Sequence, residues 1–188
     1  MSPLDRAVLE AGRRVLREHG WHATTAERIA AAAGISRVTL HRRGIRREHV
    51  LQGLAQLAVA SYRDALWPVL LGDGTGAERL AAAVDALCDV AEQHLDVLLA
   101  LQSAAQEVFH EDTTGEADTR SEFTAPLEKL LRDGLADGSV RVEDAHETAV
   151  VLFNAVGWTY VHLRTQHRWP PARAREGVAE LVLRGVLA

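Results

Sequence analysis

The sequence predicts an all-α fold in which an N-terminal three-helix unit, containing a helix-turn-helix, is joined to a larger C-terminal helical bundle. Alanine, leucine and arginine abound, while only 5% of the 188 residues are aromatic, and this composition favours helices. β-branched residues never gather into the short alternating runs that indicate strands. Apolar residues instead recur at helical spacing between glycines and prolines that mark helix ends. We therefore expect essentially no sheet.

Capping signals bound the first two predicted helices. Ser2-Pro3 supplies an N-cap and a proline at the first helical position, and Gly20 ends the helix that they begin. The stretch Thr24-Thr25-Ala26-Glu27 is a capping box, in which the hydroxyl of Thr24 accepts from the backbone and the glutamate reaches back. A short second helix through Ala33 follows.

A tight turn separates the second predicted helix from the third. Gly34 is suited to the left-handed conformation that ends a helix, and Ser36 can cap the next one. The third helix is predicted over residues 37 to about 43, and it stops at Gly44. This order of helix, tight turn and helix is the helix-turn-helix.

The rest of the chain predicts a helical bundle. The fourth helix begins near Arg46 and ends at Pro68 and the glycine-rich run 72–76. Further helices are predicted over about 77–110, with a bend near His94, and over about 119–137, 143–166 and 172–187. The polar stretch 111–118 is predicted to be an exposed loop. We place the domain boundary within the fourth helix, which gives domains 1–48 and 49–188.

Charge is distributed unevenly along the chain. Residues 1–50 hold ten arginines against five acidic residues, or +5, so the remaining residues carry −10 of the net charge of −5. A basic end on an acidic body indicates a polyanionic partner at that end. A solvated basic face is the alternative that charge alone leaves open.

The third predicted helix carries the side chains expected of a DNA reader. A helix-turn-helix places its second helix in the major groove. Arg37 is suited to read guanine bidentately and Val38 to touch a thymine methyl group. Leu40 points back to anchor the helix to Val8 and Ile29. Phosphate contacts are expected from a further set of residues: Thr25, Ser36, Thr39, Arg42 and Arg47.

Together these motifs resemble the signature of the tetracycline-repressor family. The resemblance covers roughly the first quarter of the chain and rests on Ala23-Thr24-Thr25 through Ile29-Ala30, Ala33-Gly34-Ile35-Ser36, Thr39-Leu40 and Arg47-Glu48. The sequence departs from the family pattern at two aromatic positions, where His41 replaces a tyrosine and Gly44 a phenylalanine. We expect His41 to donate to a phosphate. Either the unit is looser than is typical of the family or Ile45 fills the lost space.

The resemblance implies a homodimer built on a four-helix bundle from the last two helices of each subunit, with double-stranded operator DNA as partner. It also implies a small-molecule effector, which changes operator affinity by binding two states unequally. Independently, the predicted helix 143–166 is apolar around more of its circumference than one core-facing stripe requires, so a partner subunit would cover the excess. Complete burial within one chain is the alternative.

Helical spacing nominates ligand-binding residues in the body. A few polar groups among apolar ones are what a small-molecule site requires, although a core or a dimer seam has the same pattern. The candidates are Gln102, Gln106, Phe109, Phe123, Asn154, Trp158 and His162.

Other classes of function find less support in the sequence. No Glu-x-x-His pair, nucleophile elbow or phosphate loop indicates an enzyme, and Cys88 has the apolar helical setting of an inert core thiol. We predict no catalytic residue, cofactor, metal site or membrane partner, with His94 and His110 as the metal alternative. The absence of a signal peptide or a spanning segment predicts a cytoplasmic protein. A regulator-like protein that has lost specific DNA binding and acts through protein partners is the second possibility.

Overall fold

The computed structural model describes residues 6–108 and 116–188, with side chains described over 6–104 and 123–188. The all-α prediction is confirmed, because within these ranges no strand forms and an isolated antiparallel bridge joins Val140 to Leu187. None of the helices in the described ranges combines the length and the apolar character needed to cross a bilayer. In chain order the helices are α1 (Arg6–His19), α2 (Ala26–Ala32), α3 (Arg37–Arg42), α4 (Arg47–Leu71), α5 (Gly76–Gln93), α6 (Leu95–Val108), α7 (Glu116–Asp137), α8 (Ala145–Thr165) and α9 (Pro171–Arg184).

The described helices group into two compact units. The first unit contains α1, α2, α3, α4 as far as Ala60, and α6. The second unit contains α4 from Ser61 onward together with α5, α7, α8 and α9. The boundary predicted at residue 48 differs from this division, in which α4 is split after Ala60 and α6 joins the first unit. A single boundary along the sequence does not reveal that α6 packs against α1.

An apolar core holds the first unit together. Ile29, Leu40 and Val97 are each at most 1% exposed, and they belong to one cluster with Val8. Leu40 therefore anchors α3 as the sequence predicts. Burying a side chain of this size contributes about 1.5–3 kcal/mol to folding, so this contact fixes where the short α3 lies on α1 and α2.

The start of α2 differs by one residue from the prediction. Thr25, not Thr24, is the N-cap, and its side chain accepts from the backbone N–H of Arg28 at 3.3 Å. Thr24 is buried and donates its hydroxyl to the carbonyl of Gly20 at 2.7 Å. Both threonines can cap a helix, but the hydroxyl of Thr24 is bonded to the turn that follows α1, so Thr25 is the cap.

Close packing defines the second unit. α7 packs against both α5 and α8, and α8 also packs against α5 and α9. Leu80, Leu127 and Leu130 are fully buried in this core. A Cβ atom on Gly76 would lie 2.2 Å from the backbone nitrogen of Gly134. The start of α5 therefore approaches the backbone of α7 at a point that requires glycine.

A polar network links α5 to α8 inside the second unit. Arg164 donates to both carboxylate oxygens of Glu92, at 2.7 and 2.8 Å. The hydroxyl of Tyr160 donates to the same carboxylate at 2.9 Å. These contacts, led by the hydrogen bond from Arg164, lower the pKa of Glu92, so the carboxylate is ionised at neutral pH.

The helix ends that follow the helix-turn-helix confirm one prediction and correct two. The predicted bend near His94 is confirmed, because α5 ends at Gln93 and α6 begins at Leu95. Pro68 lies inside α4, which continues to Leu71, since a proline near the end of a helix removes only one hydrogen bond. α7 begins at Glu116, inside the predicted loop 111–118. Acidic residues stabilise a first helical turn, and polarity alone did not reveal this.

Candidate functional site

α3 exposes its polar and basic side chains and buries one leucine. Val38 is 74% exposed, whereas Leu40, two residues later, is 1% exposed. Arg37, His41 and Arg42 are also exposed. We name the set Arg37, Val38, His41 and Arg42 the recognition surface. It presents two guanidinium groups, an imidazole and a small apolar side chain on one short helix, which are the groups that read base edges and phosphates.

Ser36 and Thr39 fix the first turn of α3. Ser36 is the N-cap, as the sequence predicts, and its Oγ accepts from the N–H of Thr39 at 3.0 Å. The two hydroxyl oxygens lie 2.9 Å apart. A capped first turn holds the backbone of Arg37 and Val38 in one conformation.

Arg37 forms an ion pair with a residue that the sequence did not predict for the site. Its Nε lies 2.8 Å from Oε1 of Glu27 in α2. The pKa of Glu27 is lowered by a hydrogen bond from its own backbone N–H, by one from the Thr25 hydroxyl and by the charge of Arg37. The capping-box pattern marked Glu27, but only for a role within α2.

Arg47, the first residue of α4, lies over the buried indole ring of Trp21. Its guanidinium carbon is 4.4 Å from the ring centroid of Trp21, and its Nε is 2.9 Å from Oε1 of Glu48. Trp21 is 5% exposed and belongs to the core of the first unit. A stacked guanidinium at a helix N-terminus is an oriented positive charge, which suits a phosphate contact. The sequence predicted Arg47 but missed Trp21, which lies in the turn after α1.

Ile45 follows Gly44, the position at which the family has its second aromatic residue. It packs against the core of the first unit, and its N–H donates to the carbonyl of Leu40 at 3.2 Å. Gly44 ends α3 with a φ of 66°, a left-handed conformation that an L residue adopts only with strain. Glycine at this position therefore has a structural reason, and the filling of the lost aromatic space by Ile45 stays a prediction.

Phe123 is one of three aromatic rings that meet in the second unit. Its ring centroid lies 5.4 Å from that of Tyr62 and 5.2 Å from that of Phe153. The hydroxyl of Tyr62 donates to the carbonyl of Phe123 at 2.5 Å, and burial raises the pKa of Tyr62. We name these three residues the aromatic cluster. The sequence proposed Phe123 as a ligand-binding residue, and this assignment stays a prediction. It identified Tyr62 only as inward-facing on its helix and did not single out Phe153.

Three predicted ligand residues lie on the exposed face of α8. Asn154, Trp158 and His162 are all exposed, with Trp158 at 47%. On the same unit Val151 of α8 is 66% exposed and Leu181 of α9 is 74% exposed. Within one chain these residues form a surface with apolar content, not an enclosed site.

Among the remaining predicted ligand residues, the structure describes the side chain of Gln102. Gln102 is exposed on α6 in the first unit. Gln106 lies in the last turns of α6, outside the described side chains, and Phe109 lies outside the described residues.

The cysteine and histidines considered for catalysis or metal binding are not arranged as such sites within the described residues. Cys88 is fully buried, and burial raises the pKa of its thiol to about 12, which makes it a poor nucleophile at neutral pH. Burial lowers the pKa of His94, while His110 lies outside the described residues. Within the described part of the chain no three histidine, cysteine or acidic residues form a metal-binding group.

Two family descriptions match this chain. "Bacterial regulatory proteins, tetR family" matches residues 8–43, and "Tetracyclin repressor-like, C-terminal domain" matches residues 73–186, more than half of the chain. The chain belongs to the tetracycline-repressor family. It is therefore a DNA-binding transcriptional regulator whose operator affinity responds to a small-molecule ligand. Regulators of this family bind operator DNA, dimerise and are generally not enzymes.

Solved structures of other transcriptional regulators share the fold of this chain. A protein from Saccharomonospora viridis assigned as a transcriptional regulator, in complex with choline, has a TM-score of 0.79 at 18% identity and covers 97% of both chains. A tetR-family regulatory protein from Rhodococcus RHA1 has a TM-score of 0.76 at 20% identity over 96% of both chains. The regulator PfmR of Thermus thermophilus has a TM-score of 0.74 at 22% identity over 96% of this chain and 98% of its own. No curated protein matches the chain.

Proposed function

We propose that the recognition surface of each subunit enters one major groove of the operator. The observation that carries the proposal is the division of α3 between buried Leu40 and its exposed neighbours. Arg37 donates to O6 and N7 of a guanine, and Val38 contacts a thymine methyl group. Phosphates are held by the remaining predicted residues: Thr25, Ser36, Thr39, His41, Arg42 and Arg47.

Measurements of operator binding by two variants distinguish base contacts from phosphate contacts. We expect Arg37→Ala to weaken binding to the preferred sequence about tenfold or more and to relax preference at one base pair. Arg42→Ala should weaken binding to all sequences alike and reduce the slope of log affinity against log salt by about one. Anisotropy titrations with the intergenic DNA beside its own gene, across a salt series, measure both effects. Arg6→Ala, at an exposed side chain of α1, is the control.

The contrary outcome of this experiment is specific. If wild-type protein shows neither sequence preference nor salt dependence, the protein acts through protein partners and the proposed DNA contacts are wrong. If Arg37→Ala and Arg42→Ala behave alike, the assignment of base and phosphate roles is wrong while DNA binding stands.

We propose that the homodimer forms through α8 and α9. The exposed Val151, Trp158 and Leu181 support this interface. A Cβ atom built on Gly157 of α8 meets no atom within 4 Å, so a helix of a second copy has room to approach. Covering such residues contributes about 25 cal/mol per Å² of apolar surface.

Sedimentation velocity tests the interface with matched variants. Val151→Arg places a charge on the proposed seam and should convert dimer to monomer. Leu71→Arg is the control, because Leu71 of α4 is 68% exposed and Val151 is 66% exposed. A wild-type monomer, or dissociation by the control alone, would contradict this interface.

We propose that the effector is a small molecule with an apolar or aromatic part that contacts the aromatic cluster. Three rings from three helices supply apolar surface, and ligand sites combine such walls with few polar groups. The choline held by the Saccharomonospora viridis protein is a cation, which aromatic faces also attract. Choline and an uncharged aromatic such as indole are therefore the two probes to compare.

Calorimetric titration distinguishes the two ligand classes. We expect indole to bind wild type more tightly than choline, and Phe153→Ala to lose most of that affinity. Leu135→Ala is the control, because Leu135 of α7 is 41% exposed and lies outside the cluster. Tighter binding of choline would replace an apolar effector with a cationic one, and equal binding by Phe153→Ala would place the site elsewhere.

A further inference from the structure

Glu27 lies outside the predicted recognition residues but contacts one of them. Its Oε1 is 2.8 Å from Nε of Arg37, and the two side chains are 51% and 72% exposed. An ion pair this exposed adds little to the stability of the fold, because water screens its charges. Its consequence for function lies in where it holds the guanidinium group.

Glu27 lies in the first turn of α2, two residues after its N-cap. Thr25 caps α2 by accepting from the N–H of Arg28 at 3.3 Å. The pKa of Glu27 is lowered by its own backbone N–H, by Thr25 and by the charge of Arg37. The carboxylate is therefore ionised at neutral pH, and its ion pair with Arg37 joins the start of α2 to α3.

The contact through Nε leaves a particular edge of Arg37 for DNA. An arginine reads guanine through two parallel N–H donors in one plane, and the edge formed by the two Nη groups can supply them. We propose that Glu27 is a positioning residue for operator specificity, which restricts where the Arg37 guanidinium lies so that its Nη edge meets a guanine. Pre-ordering reduces the rotamer freedom that Arg37 loses on binding. This inference rests on the proposed base-reading role of Arg37.

A charge-masking role for Glu27 leads to the opposite expectation. An acidic side chain near DNA phosphates weakens binding whatever the sequence, so its removal would raise affinity for every duplex alike. A positioning role predicts lost discrimination at one base pair, with the other preferences unchanged. The two roles therefore differ in sequence preference, not only in affinity.

Selection from a library of random-sequence duplexes tests the inference. Full-length wild type, Glu27→Ala, Arg37→Ala and Glu10→Ala are each incubated with the library, and the bound duplexes are sequenced. We expect Arg37→Ala to relax one base-pair preference and Glu27→Ala to relax the same one about fivefold or more, with an unchanged salt slope. Glu10→Ala is the matched control, because Glu10 also forms an exposed ion pair with an arginine, Arg6 of α1, and its loss removes one equal charge.

The other outcomes either overturn the inference or leave the decision to a second variant. Full base preference in Glu27→Ala, or a uniform rise in affinity, excludes positioning and leaves the DNA-binding proposal intact. If Glu27→Ala loses preference at every base pair and has a lowered melting temperature, it is misfolded. The base preference of Glu27→Asp then tests the inference. This variant keeps the charge but shortens the reach, so retained preference overturns the inference and relaxed preference supports it. A wild-type protein that selects no sequence refutes the proposed base reading itself, and the inference falls with it.

Discussion

The two units position the side chains proposed for DNA and for the effector in different ways. In the first unit, six consecutive residues of α3 contain both the anchor Leu40 and the exposed recognition surface. In the second unit, the aromatic cluster takes one ring each from α4, α7 and α8. Local signals along the chain determine the first arrangement, whereas the packing of distant helices determines the second. A substitution in the first unit should therefore act through a single short helix, and one in the second through several helices.

The largest expected effect on the free energy of unfolding distinguishes the buried anchor of α3 from a residue on its exposed face. Leu40→Ala should lower the free energy of unfolding by about 3 kcal/mol, because it leaves a cavity in the core. Val38→Ala should change this free energy by less than about 0.5 kcal/mol, since its side chain is exposed. Urea unfolding followed by circular dichroism measures both. Equal losses for the two variants would show that α3 is not held through Leu40.

A second comparison contrasts glycines at close approaches in the two units. Gly76→Ala should cost about 2 kcal/mol, because the added Cβ would lie 2.2 Å from the backbone of Gly134. Gly12→Ala in the first unit should cost less, since its Cβ would meet Cγ1 of Val50 at 2.3 Å and a side chain can move more readily than backbone. Thermal and urea unfolding of both variants rank the two costs.

Gly177→Ala is the control for both glycine variants. Its added Cβ would lie 3.5 Å from a ring atom of Trp169, which is ordinary contact. Alanine is the better helix former, so this variant should be more stable by up to about 1 kcal/mol. If Gly76→Ala were as stable as Gly177→Ala, the tight packing of α5 on α7 would be refuted.

A partly buried charge in the first unit gives a smaller, pH-dependent effect. Nε of Arg13 and of Arg17 in α1 lie 3.1 and 2.9 Å from Oδ2 of Asp96 in α6. Burial opposes ionisation of Asp96, but hydrogen bonds and charge from the two arginines hold its pKa below 3.8. A lowered folded-state pKa stabilises the protein above the unfolded-state pKa, and this stabilisation is lost as pH falls through the folded value.

Asp96→Asn should therefore cost about 1.5 kcal/mol at neutral pH. The difference from wild type should shrink as pH falls below about 4. Denaturant unfolding at pH 7 and pH 3 measures the change, with Asp85→Asn, an exposed residue of α5, as the control. A cost that is the same at both pH values would show that the ion pairs of Asp96 do not stabilise the first unit.

The sequence predicted the first unit closely because its signals act within a few residues. Ser36 caps α3 as expected, and Gly34 adopts the predicted left-handed turn with a φ of 69°. The exchange of Thr24 for Thr25 as the cap of α2 is an error of one position. What the sequence missed in this unit are the contacts Glu27–Arg37 and Trp21–Arg47, because they join residues whose proximity depends on how the helices cross.

The second unit was less predictable for the same physical reason. Helical spacing identified Asn154 and Trp158 as one face of α8, but spacing does not say whether a ligand, a core or a second subunit covers that face. Phe123 was recognised as apolar wall, while Tyr62 and Phe153, on separate helices, were not. Long-range packing assembles the cluster, and no local pattern encodes it.

The smallest expected effect lies at an exposed contact of the second unit. Nδ1 of His146 in α8 lies 2.8 Å from Oε2 of Glu128 in α7, and this hydrogen bond, with the carboxylate's charge, raises the pKa of His146 above 6.5. A raised folded-state pKa stabilises fully below the unfolded value, and the stabilisation is lost as pH rises through the folded one. NMR titration should show the raised pKa in wild type, its return toward 6.5 in Glu128→Gln, and no change in Glu147→Gln. An unshifted pKa of His146 in wild type would show that water screens the pair, and the second unit's stability would then depend on its packed core and on the partly buried contacts of Glu92.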